Sequence, residues 1–348
     1  MIITNLNYCT VNEEATIEKC ILNLEKSSHQ IIFIVDKKNR LLGSLTDGDI
    51  RRAILNKFTL KDKINFIYNK NPIKCIKPTS YLESEKIMSA NQINHLPIVS
   101  DKNKLVGFYK LVIKNTYKQK QNFDFIIMAG GKGLRLRPFT IKTPKPMLKI
   151  NGEPILKIII NRAKEFGIKN YYISINYLGN IIKDYFKRGK KLDVDIKYIS
   201  ENRPLGTLGS VGNIKEKLQN KNVIVVNGDV ITEINYESLI KFHEKKNADA
   251  TMAVYPFEMK NPYGEVVTKD ENILEIKEKP ISISYVNAGV YVFKKNILSQ
   301  LKKNKKIDSV EFFNQLRKKN KKIVAFAIHE TWKDIGLRKD YLKVKNQK

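Results

Sequence analysis

The second two thirds of this 348-residue chain alternate between short apolar runs and segments with helical periodicity. Apolar runs of strand length occupy residues 170–175, 195–199 and 222–226, and helical periodicity occupies residues 155–166, 179–187 and 236–246. Strands that alternate with helices are typical of a mostly parallel sheet covered by helices on both faces. We therefore predict a Rossmann-like α/β fold, in which ligands bind beyond the carboxyl ends of the strands.

Three glycines follow the apolar run at residues 123–127, at the point where a buried strand would end. The segment that continues from this run reads MAGGKGLRLRPFTIKTPKPM. Gly130, Gly131 and Gly133 have no Cβ atom to obstruct a ligand, and backbone N–H groups in such a loop can bind phosphate oxygens. We expect this loop to contact a polyphosphate.

Two cationic side chains, Arg135 and Lys145, follow the glycines closely. Arginine binds a phosphate group through two parallel N–H donors, whereas lysine acts as a compact point charge. The loop is not a dinucleotide fingerprint, because no third glycine follows Gly133 at the required spacing. It is not a P-loop either, because glycine follows Lys132 where Ser or Thr is required. Exposed amides with two nearby cations are suited to a nucleoside triphosphate.

The same segment resembles the signature G-G-x-G-[TL]-R-L-x-P-x-T…P-K-P of the sugar-1-phosphate nucleotidyltransferases. It departs from many members at Leu134, where they have threonine. The resemblance implies that Arg135 holds the β- and γ-phosphates and that Lys145 bridges the α-phosphate and the incoming sugar phosphate. It also implies that the nucleotide lies against the loop residues Ala129, Gly130, Gly131 and Gly133.

Two aspartates far apart in the sequence are candidates for a metal site. Asp229 follows the buried run at residues 223–226, and Asp334 lies in the sequence TWKDIG. Asp229 could instead only begin a turn, as aspartate often does. The second element resembles the W-x-D-x-G element of the same family, in which two aspartates hold the metal together. The resemblance therefore implies that Asp229 and Asp334 bind Mg²⁺ or Mn²⁺, and Mg²⁺ commonly takes one or two carboxylates.

Four further elements occur in family order. The sequence ENRPLGT resembles the E-x-x-P-L-G-T segment along the nucleobase, which implies nucleotide contacts from Glu201, Gly206 and Thr207. The sequences NPYG, EKP and NAGVY resemble segments that bind the sugar phosphate, which implies contacts from Gly264, Glu278, Lys279 and Asn287. Taken alone, Glu278 and Lys279 would be a surface charge pair, and residues 287–289 a tight turn.

The first third of the chain contains an internal repeat. A shift of 64 residues places residues 34–43 on residues 98–107, and each copy reads as helix, strand, polar turn, strand and helix. We expect the copies to pack as a pseudo-twofold pair, because neither buries both faces alone. The pair resembles tandem cystathionine-β-synthase (CBS) domains, a smaller α+β regulatory module. A polar stretch at residues 118–122 separates this module, residues 1–120, from the catalytic domain, residues 121–348.

One copy of the repeat has the ligand pattern of CBS domains, which commonly bind adenine nucleotides. The sequence GSLTDGD implies Thr46 as a phosphate ligand and Asp49 as a ribose ligand, whereas the second copy lacks both residues. Thr46 could instead only cap the helix that begins near Asp47. Because CBS pairs often assemble face to face, we expect a homodimer.

The substrates are also suggested by resemblance. The E-x-x-P-L-G-T form resembles the guanylyl-transferring branch, and Glu201 could accept hydrogen bonds from guanine N1–H and N2–H₂. A transferase preceded by CBS domains is most similar to the glucosamine-1-phosphate guanylyltransferases of legionaminic acid synthesis, which implies GTP and glucosamine 1-phosphate as substrates. Mannose or heptose 1-phosphate as acceptor, and UTP or TTP as donor, stay open. A non-catalytic nucleotide-sensing subunit would be expected to lack Arg135, Lys145 or an aspartate.

Charge and cysteine content exclude several other classes of protein. The net charge of +29 comes mainly from lysines spread along the chain, with only ten arginines among 64 basic residues, so no nucleic-acid-binding face is indicated. No run of eighteen apolar residues and no signal-peptide pattern occurs, so we expect no membrane association. Cys9, Cys20 and Cys75 are scattered, which favours reduced thiols and a cytoplasmic protein.

Overall fold

The computed structural model describes residues 2–27, 29–76, 78–111 and 123–345. The chain forms two compact units, Met1–Lys118 and Gln119–Lys348, and each unit has its own hydrophobic core. The boundary that the sequence predicts at residues 118–122 lies outside the described residues.

The first unit contains short strands and helices. Its strands are β1 (Ile2–Ile3), β2 (Thr10–Val11), β3 (Ile31–Val35), β4 (Leu41–Thr46), β5 (Cys75–Ile76), β6 (His95–Val99) and β7 (Leu105–Lys110). Its helices are α1 (Ile17–Ser27), α2 (Asp47–Leu55) and α3 (Tyr81–Ala90), and a 3₁₀ turn lies at Ile64–Phe66. The strands form two sheets, in the orders β2-β3-β4 and β1-β7-β6-β5.

The two copies of the repeat have the same geometry. Strands β3 and β4 pair antiparallel, as do β6 and β7, and each pair has a bulge at the same place in its register. Asn39 Nδ2 donates to Leu105 O at 3.1 Å, and Asn103 Nδ2 donates to Leu41 O at 2.9 Å. These reciprocal bonds confirm the predicted pseudo-twofold packing. The part of the second copy that corresponds to α2 lies mostly outside the described residues.

Thr46 and Asp49 form a cap at the start of α2. One carboxylate oxygen of Asp49 accepts from Thr46 N at 2.8 Å and from Thr46 Oγ1 at 2.6 Å, and the other accepts from Arg52. This arrangement satisfies donors at the helix N-terminus, as a capping box does. The predicted adenine nucleotide contacts of Thr46 and Asp49 stay a prediction, and they would require these bonds to be shared or exchanged.

The second unit has more elements. Its strands are β8 (Phe123–Met128), β9 (Lys149–Ile150), β10 (Glu153–Pro154), β11 (Asn170–Ile175), β12 (Asp195–Ser200), β13 (Asn222–Asn227), β14 (Val230–Thr232), β15 (Ala250–Lys260), β16 (Glu265–Lys269), β17 (Asn272–Lys277), β18 (Ile281–Lys294), β19 (Ile323–Ala327) and β20 (Trp332–Asp334). Its helices are α4 (Ile155–Glu165), α5 (Gly179–Phe186), α6 (Gly206–Gly209), α7 (Val211–Ile214), α8 (Tyr236–Lys245), α9 (Lys295–Leu298), α10 (Ser309–Lys318) and α11 (Arg338–Val344), with 3₁₀ turns at Leu134–Leu136, Lys145–Met147 and Lys190–Leu192.

Seven strands form the central sheet, in the order β12-β11-β8-β13-β18-β15-β19. All run in one direction except β18, which is antiparallel to both of its neighbours. Side chains of β8 point alternately into two separate cores: Phe125 and Ile127 pack with α4 and α8, and Ile126 packs with α7 and α10. Burial on both faces explains the continuous apolar strands. The predicted mostly parallel sheet with helices on both faces is confirmed.

The helices of the described ranges are short. The longest of them, α1 and α4, have 11 residues each. A helix of that length rises roughly 16 Å, about half the hydrocarbon thickness of a bilayer. None of the helices in these ranges is long and apolar enough to cross a membrane.

The buried imidazole of His243 predicts acid sensitivity of the second unit. Burial, together with the nearby Lys294 ammonium, lowers the pKa of His243 to about 4. Between pH 4 and pH 6.5 the unfolded chain therefore binds the proton and the folded chain does not, so stability falls as the pH falls. We expect His243 to account for a loss on the order of 2 kcal/mol in the free energy of unfolding between pH 7.5 and pH 5.

Denaturant unfolding followed by the fluorescence of Trp332, the only tryptophan, measures this effect in the second unit. The matched variant His243→Gln can still accept or donate a hydrogen bond to Thr251, which lies 2.8 Å from His243 Nδ1. We expect the variant to lose less stability on acidification than the natural chain. An equal acid-induced loss in both chains would exclude His243 as the source.

Candidate active site

The glycine loop and the turn that carries Asp229 lie side by side at one edge of the sheet. Strands β8 and β13 are parallel neighbours, so their carboxyl ends meet there. Gly228 N donates to Met128 O at 2.9 Å, and a Cβ atom on Gly228 would lie 2.6 Å from that same oxygen. Glycine at position 228 is what allows the two backbones to approach this closely.

The glycines of the loop have different environments. Gly133 has a φ of +60°, in the left-handed region that favours glycine, and it precedes the 3₁₀ turn that carries Arg135. A Cβ atom on Gly130 would lie 3.2 Å from Glu201 Oε1, whereas one on Gly131 would meet no described atom within 4 Å beyond its chain neighbours. Gly131 therefore borders open space, where a ligand can approach the backbone.

An ion pair joins Lys145 to Asp229 across 84 residues of sequence. Lys145 Nζ lies 2.5 Å from Asp229 Oδ2, and the two side chains are 13% and 30% exposed. The partial burial of the lysine means that its charge is compensated by Asp229 in this structure. A bound phosphate group would offer Lys145 an alternative anionic partner at the same place.

Asp334 lies next to Asp229 through the pairing of β20 with β14. In that register Asp334 is opposite Val230, and Ile335 N donates to Asp229 O at 3.2 Å. Although Asp334 is exposed as a whole residue, desolvation of its carboxyl group and the neighbouring Asp229 charge raise its pKa, and Lys145 and Arg135 oppose this rise. The loop cations and the two aspartates are therefore within electrostatic reach of one another.

The two carboxylates suit a divalent cation that takes its other ligands from the phosphate groups of a substrate and from water. Among the described residues no group of three or more His, Cys, Asp or Glu side chains could hold a metal ion. Mg²⁺ usually keeps several water ligands and takes one or two carboxylates together with substrate phosphates, so two aspartates are sufficient. Burial raises the pKa of Asp334, and the charge of Asp229 raises it further, so the two carboxylates lie close enough to interact. The assignment of Mg²⁺ or Mn²⁺ stays a prediction.

Glu201 is held by hydrogen bonds within the protein. Its Oε1 accepts from Ser174 Oγ, and its Oε2 accepts from Leu205 N at 3.0 Å. Asn176 Nδ2 donates to the backbone oxygen of Glu201 at 2.6 Å. Because a carboxylate oxygen can accept more than one bond, guanine could share or displace these donors. The recognition of guanine by hydrogen bonds to Glu201 stays a prediction.

Gly206 and Thr207 connect the segment ENRPLGT to the start of α10. Gly206 has a φ of +76°, and a Cβ atom there would lie 2.6 Å from Asp308 Oδ1. Thr207 N donates to that oxygen at 3.1 Å, and Ser309 N donates to Thr207 Oγ1 at 2.7 Å. The structure thus shows a structural role for both residues, and their nucleotide contacts stay a prediction.

The four residues of the sugar-phosphate prediction are divided between two places. Asn287 lies on β18, where its Oδ1 accepts from Gly289 N at 3.0 Å. Glu278 and Lys279 lie further out and form an exposed pair at 3.9 Å, and Gly264 lies beside Glu278. Asn287 therefore lies in β18, the neighbour of β13, whereas the other three residues lie in the exposed segment that carries strands β16 and β17.

Three side chains that shape the site were not selected from the sequence. Ser174 and Asn176 lie at the end of a predicted strand and orient Glu201. Trp332 stacks on Tyr255 with ring centroids 5.0 Å apart, and its Nε1 donates to Ala288 O at 2.9 Å. Trp332 thus connects β20, the strand of Asp334, to β18 next to Asn287. The W-x-D spacing could have identified Trp332 from the sequence. The position of two polar residues at the end of a strand could have identified Ser174 and Asn176.

Comparison with known proteins places this site in a family. A model of the nucleotidyl transferase family matches residues 125–348. The chain belongs to this family. A model of the CBS domain matches residues 3–56, which contain the first copy of the repeat. The matched nucleotidyl transferase region contains the glycine loop, both cations and both aspartates.

Relatives of this chain include guanylyltransferases. The chain is 33% identical over 227 residues to mannose-1-phosphate guanylyltransferase of Mycobacterium tuberculosis, a match that covers 63% of each protein. It is 31% identical over 225 residues to D-glycero-alpha-D-manno-heptose 1-phosphate guanylyltransferase of Aneurinibacillus thermoaerophilus, covering 64% of this chain and 97% of that protein. This chain therefore spans less than two thirds of the mannose relative and nearly all of the heptose relative.

A solved structure also resembles this chain. The crystal structure of HddC from Yersinia pseudotuberculosis superposes with a TM-score of 0.51 at 28% identity, covering 64% of this chain and 97% of that one. HddC has also been crystallised in complex with GMP-PN, and that structure is 27% identical to this chain.

Two glycine substitutions in this chain should distinguish an effect on folding from an effect on ligand access. Gly228→Ala places a methyl group against a backbone oxygen, so we expect it to destabilise the fold by about 1–3 kcal/mol. Gly131→Ala places the methyl group in open space, so we expect an unchanged melting temperature and a higher KM for the nucleoside triphosphate. Thermal unfolding and initial rates measure the two effects. Equal destabilisation by both substitutions would contradict the arrangement of the loop.

Proposed function

We propose that this protein transfers a guanylyl group from GTP to a sugar 1-phosphate, releasing pyrophosphate and forming a GDP-sugar. The family assignment supports a nucleotidyl transfer reaction. Two relatives with identities of 33% and 31% are named as guanylyltransferases of sugar 1-phosphates, which supports GTP as the donor.

The observation that carries the proposal is the convergence of four charged groups beside the glycine loop. Lys145 pairs with Asp229, β20 brings Asp334 beside them, and the Arg135 charge acts to lower the pKa of Asp334. Open space in front of Gly131 leaves the loop backbone accessible. A triphosphate needs accessible amides, cations for its oxygens and carboxylates for its counterion, and this edge of the sheet offers all three.

The chemistry is an in-line displacement at phosphorus. An oxygen of the sugar 1-phosphate attacks the α-phosphorus, a new P–O bond forms, and the bond from the α-phosphorus to the bridging oxygen breaks to release pyrophosphate. The attacking phosphate is already anionic at neutral pH, so the reaction needs no general base. Catalysis then depends on positioning and on neutralising charge.

Each charged group has a distinct part in this reaction. Arg135 would hold the β- and γ-phosphate oxygens, and Lys145 would leave Asp229 to contact the α-phosphate and the incoming phosphate. Asp229 and Asp334 would hold Mg²⁺ or Mn²⁺, which when bound would neutralise charge on the phosphate oxygens. Asn287, whose Oδ1 accepts from Gly289 N, would contact the sugar.

Several sugar 1-phosphates are candidates for the acceptor of the guanylyl group. We propose glucosamine 1-phosphate, because the arrangement of CBS domains ahead of the transferase resembles that group of enzymes and a CBS domain model matches residues 3–56. Mannose 1-phosphate and a heptose 1-phosphate are the alternatives, because these sugars appear in the names of the relatives.

A substrate matrix tests the proposal. Purified protein is assayed for pyrophosphate with GTP, UTP, TTP, ATP and CTP, each paired with glucosamine, mannose or heptose 1-phosphate. We expect the highest kcat/KM with GTP and glucosamine 1-phosphate. If mannose or heptose 1-phosphate were preferred, that sugar would replace glucosamine 1-phosphate as the proposed acceptor. If UTP were preferred, the proposed role of Glu201 would be wrong. If no pair released pyrophosphate, the proposed function would be refuted.

A further inference from the structure

A buried polar cluster lies among strands β13 and β18 and the start of helix α10. At its centre is the hydroxyl group of Tyr291, a residue of β18 that is 1% exposed. The Tyr291 ring packs on Phe293 and Phe313, with centroid distances of 6.1 and 5.6 Å. A hydroxyl group in such an apolar core costs free energy unless it is hydrogen-bonded. The partners of this hydroxyl group therefore determine whether the core tolerates it.

Three side chains form hydrogen bonds with the Tyr291 hydroxyl group. Tyr291 Oη lies 3.0 Å from Ser309 Oγ. The side-chain amides of Asn287 and Asn227 donate to the same phenol oxygen. Burial raises the pKa of Tyr291, and these three hydrogen bonds oppose the rise. A phenol oxygen has two lone pairs and one hydrogen, so two amide donors occupy both lone pairs and the hydrogen is left to donate to Ser309.

The partners of this hydroxyl group come from three parts of the candidate active site. Asn227 lies two residues before Asp229 at the end of β13, and Asn287 belongs to the segment NAGVY on β18. Ser309 begins α10, and its backbone N donates to Thr207 Oγ1 at 2.7 Å. One buried hydroxyl group thus connects the strand that leads to a metal-site candidate, a sugar-site candidate and the helix that supports the nucleobase segment.

The side-chain amide of Asn287 is held at both of its polar atoms. Its Oδ1 accepts from Gly289 N at 3.0 Å, and its Nδ2 donates to Tyr291. Gly289 has a φ of +71°, and a Cβ atom there would lie 2.8 Å from Asn227 Nδ2. A side-chain amide has two N–H donors and two acceptor lone pairs, so one donor and one acceptor stay available. Their directions are fixed by the two bonds already made, and sugar hydroxyl groups can bind to both.

We propose that the Tyr291 hydroxyl group positions the Asn287 amide for the acceptor sugar. This inference rests on the proposed function, because it takes a sugar 1-phosphate as the acceptor. Without the hydroxyl group the amide would lose one of its two orienting bonds and would have to be ordered when the sugar binds, which weakens binding. The nucleotide side would be spared, because Thr207 is bound by the backbone of Ser309 and not by its hydroxyl group.

Tyr291→Phe removes only the hydroxyl group and tests the proposal by steady-state kinetics. We expect the KM for the sugar 1-phosphate to rise by about 3–10-fold, the effect of one hydrogen bond, while kcat and the KM for GTP change by less than about twofold. The matched control is Tyr171→Phe, which removes another buried hydroxyl group, one that donates to Ile168 O at 2.8 Å at the start of β11. We expect this control to lower the melting temperature as much as Tyr291→Phe does and to leave both KM values unchanged.

The Asn287→Ala background distinguishes positioning from a general effect on the fold. Because Asn287→Ala removes the amide itself, adding Tyr291→Phe should raise the KM for the sugar 1-phosphate by less than about twofold further. A full rise in this background, an unchanged KM in Tyr291→Phe alone, or an equal rise in Tyr171→Phe would each overturn the proposal.

Acrylamide quenching of the fluorescence of Trp332, the only tryptophan, tests the positioning without turnover. Trp332 Nε1 donates at 2.9 Å to the backbone oxygen of Ala288, the residue after Asn287. We expect stronger quenching in Tyr291→Phe than in the natural chain or in Tyr171→Phe, because a less firmly held Asn287 segment holds the indole less firmly. Equal quenching in all three chains would overturn the proposal. A natural chain that released no pyrophosphate would instead refute the proposed function, and quenching would still decide whether the hydroxyl group positions Asn287.

Discussion

Asp229→Asn is expected to reduce the kcat for pyrophosphate release by about 10²–10³-fold while the protein stays folded. Asparagine has nearly the same shape but cannot pair ionically with Lys145, which lies 2.5 Å from Asp229 Oδ2. It also removes one of the two carboxylates available to a divalent cation. Steady-state rates at saturating GTP, sugar 1-phosphate and Mg²⁺ measure the loss, and thermal unfolding checks the fold.

The control for this substitution is Asp193→Asn, which removes an exposed carboxylate that pairs with Lys169 at 3.3 Å in a loop. We expect the control to retain full activity. Asp334→Asn should lose activity to a similar degree as Asp229→Asn, and the double variant should lose much less than the product of the single effects, because groups that act as a unit are not additive. Independent effects of the two aspartates would contradict a shared site.

Lys145→Ala is the second substitution with a large expected effect. We expect a loss of about 10²–10³-fold in kcat/KM, because one preorganised cation that stabilises phosphate charge typically contributes this much. The substitution also leaves Asp229 beside Asp334 without its ionic partner. Initial rates over a range of GTP and sugar 1-phosphate concentrations measure the change in each constant.

Lys142→Ala is the matched control, since Lys142 is exposed and lies three positions earlier in the same segment. It removes one positive charge from the surface without touching the site, so we expect an unchanged kcat/KM. If Lys145→Ala retained near-normal turnover, the proposed role of this lysine would be wrong. If both variants lost activity equally, the effect would come from the general positive field of the protein.

The fold of the second unit was predictable because each element has a local sequence signal. The helix expected at residues 236–246 is observed at Tyr236–Lys245, and the strand expected at residues 222–226 is observed at Asn222–Asn227. Apolar periodicity determines these elements almost by itself. The ribbon formed by β15 and β18 was not predicted, because its strands lack sheet neighbours at their outer ends and have no buried face to set a clear alternation.

The site was predictable in its residue types but not in its bonding. The glycines, Arg135 and Lys145 form a short continuous motif, and they could be selected from the sequence alone. The internal bonds of Glu201 could not, because its two donors come from different segments, Ser174 at the end of one strand and Leu205 in a later loop. The bond between Thr207 and Ser309 spans 102 residues, and no local pattern encodes such a partner.

A crystal structure with Mn²⁺ and a non-hydrolysable GTP analogue tests most directly whether four charged groups surround one triphosphate. The anomalous signal of manganese locates the cation independently of catalytic activity. We predict one strong peak in contact with the carboxylates of both Asp229 and Asp334, with Arg135 and Lys145 on the phosphate oxygens. An analogue bound elsewhere, or a manganese peak that touches neither aspartate, would contradict the proposed site.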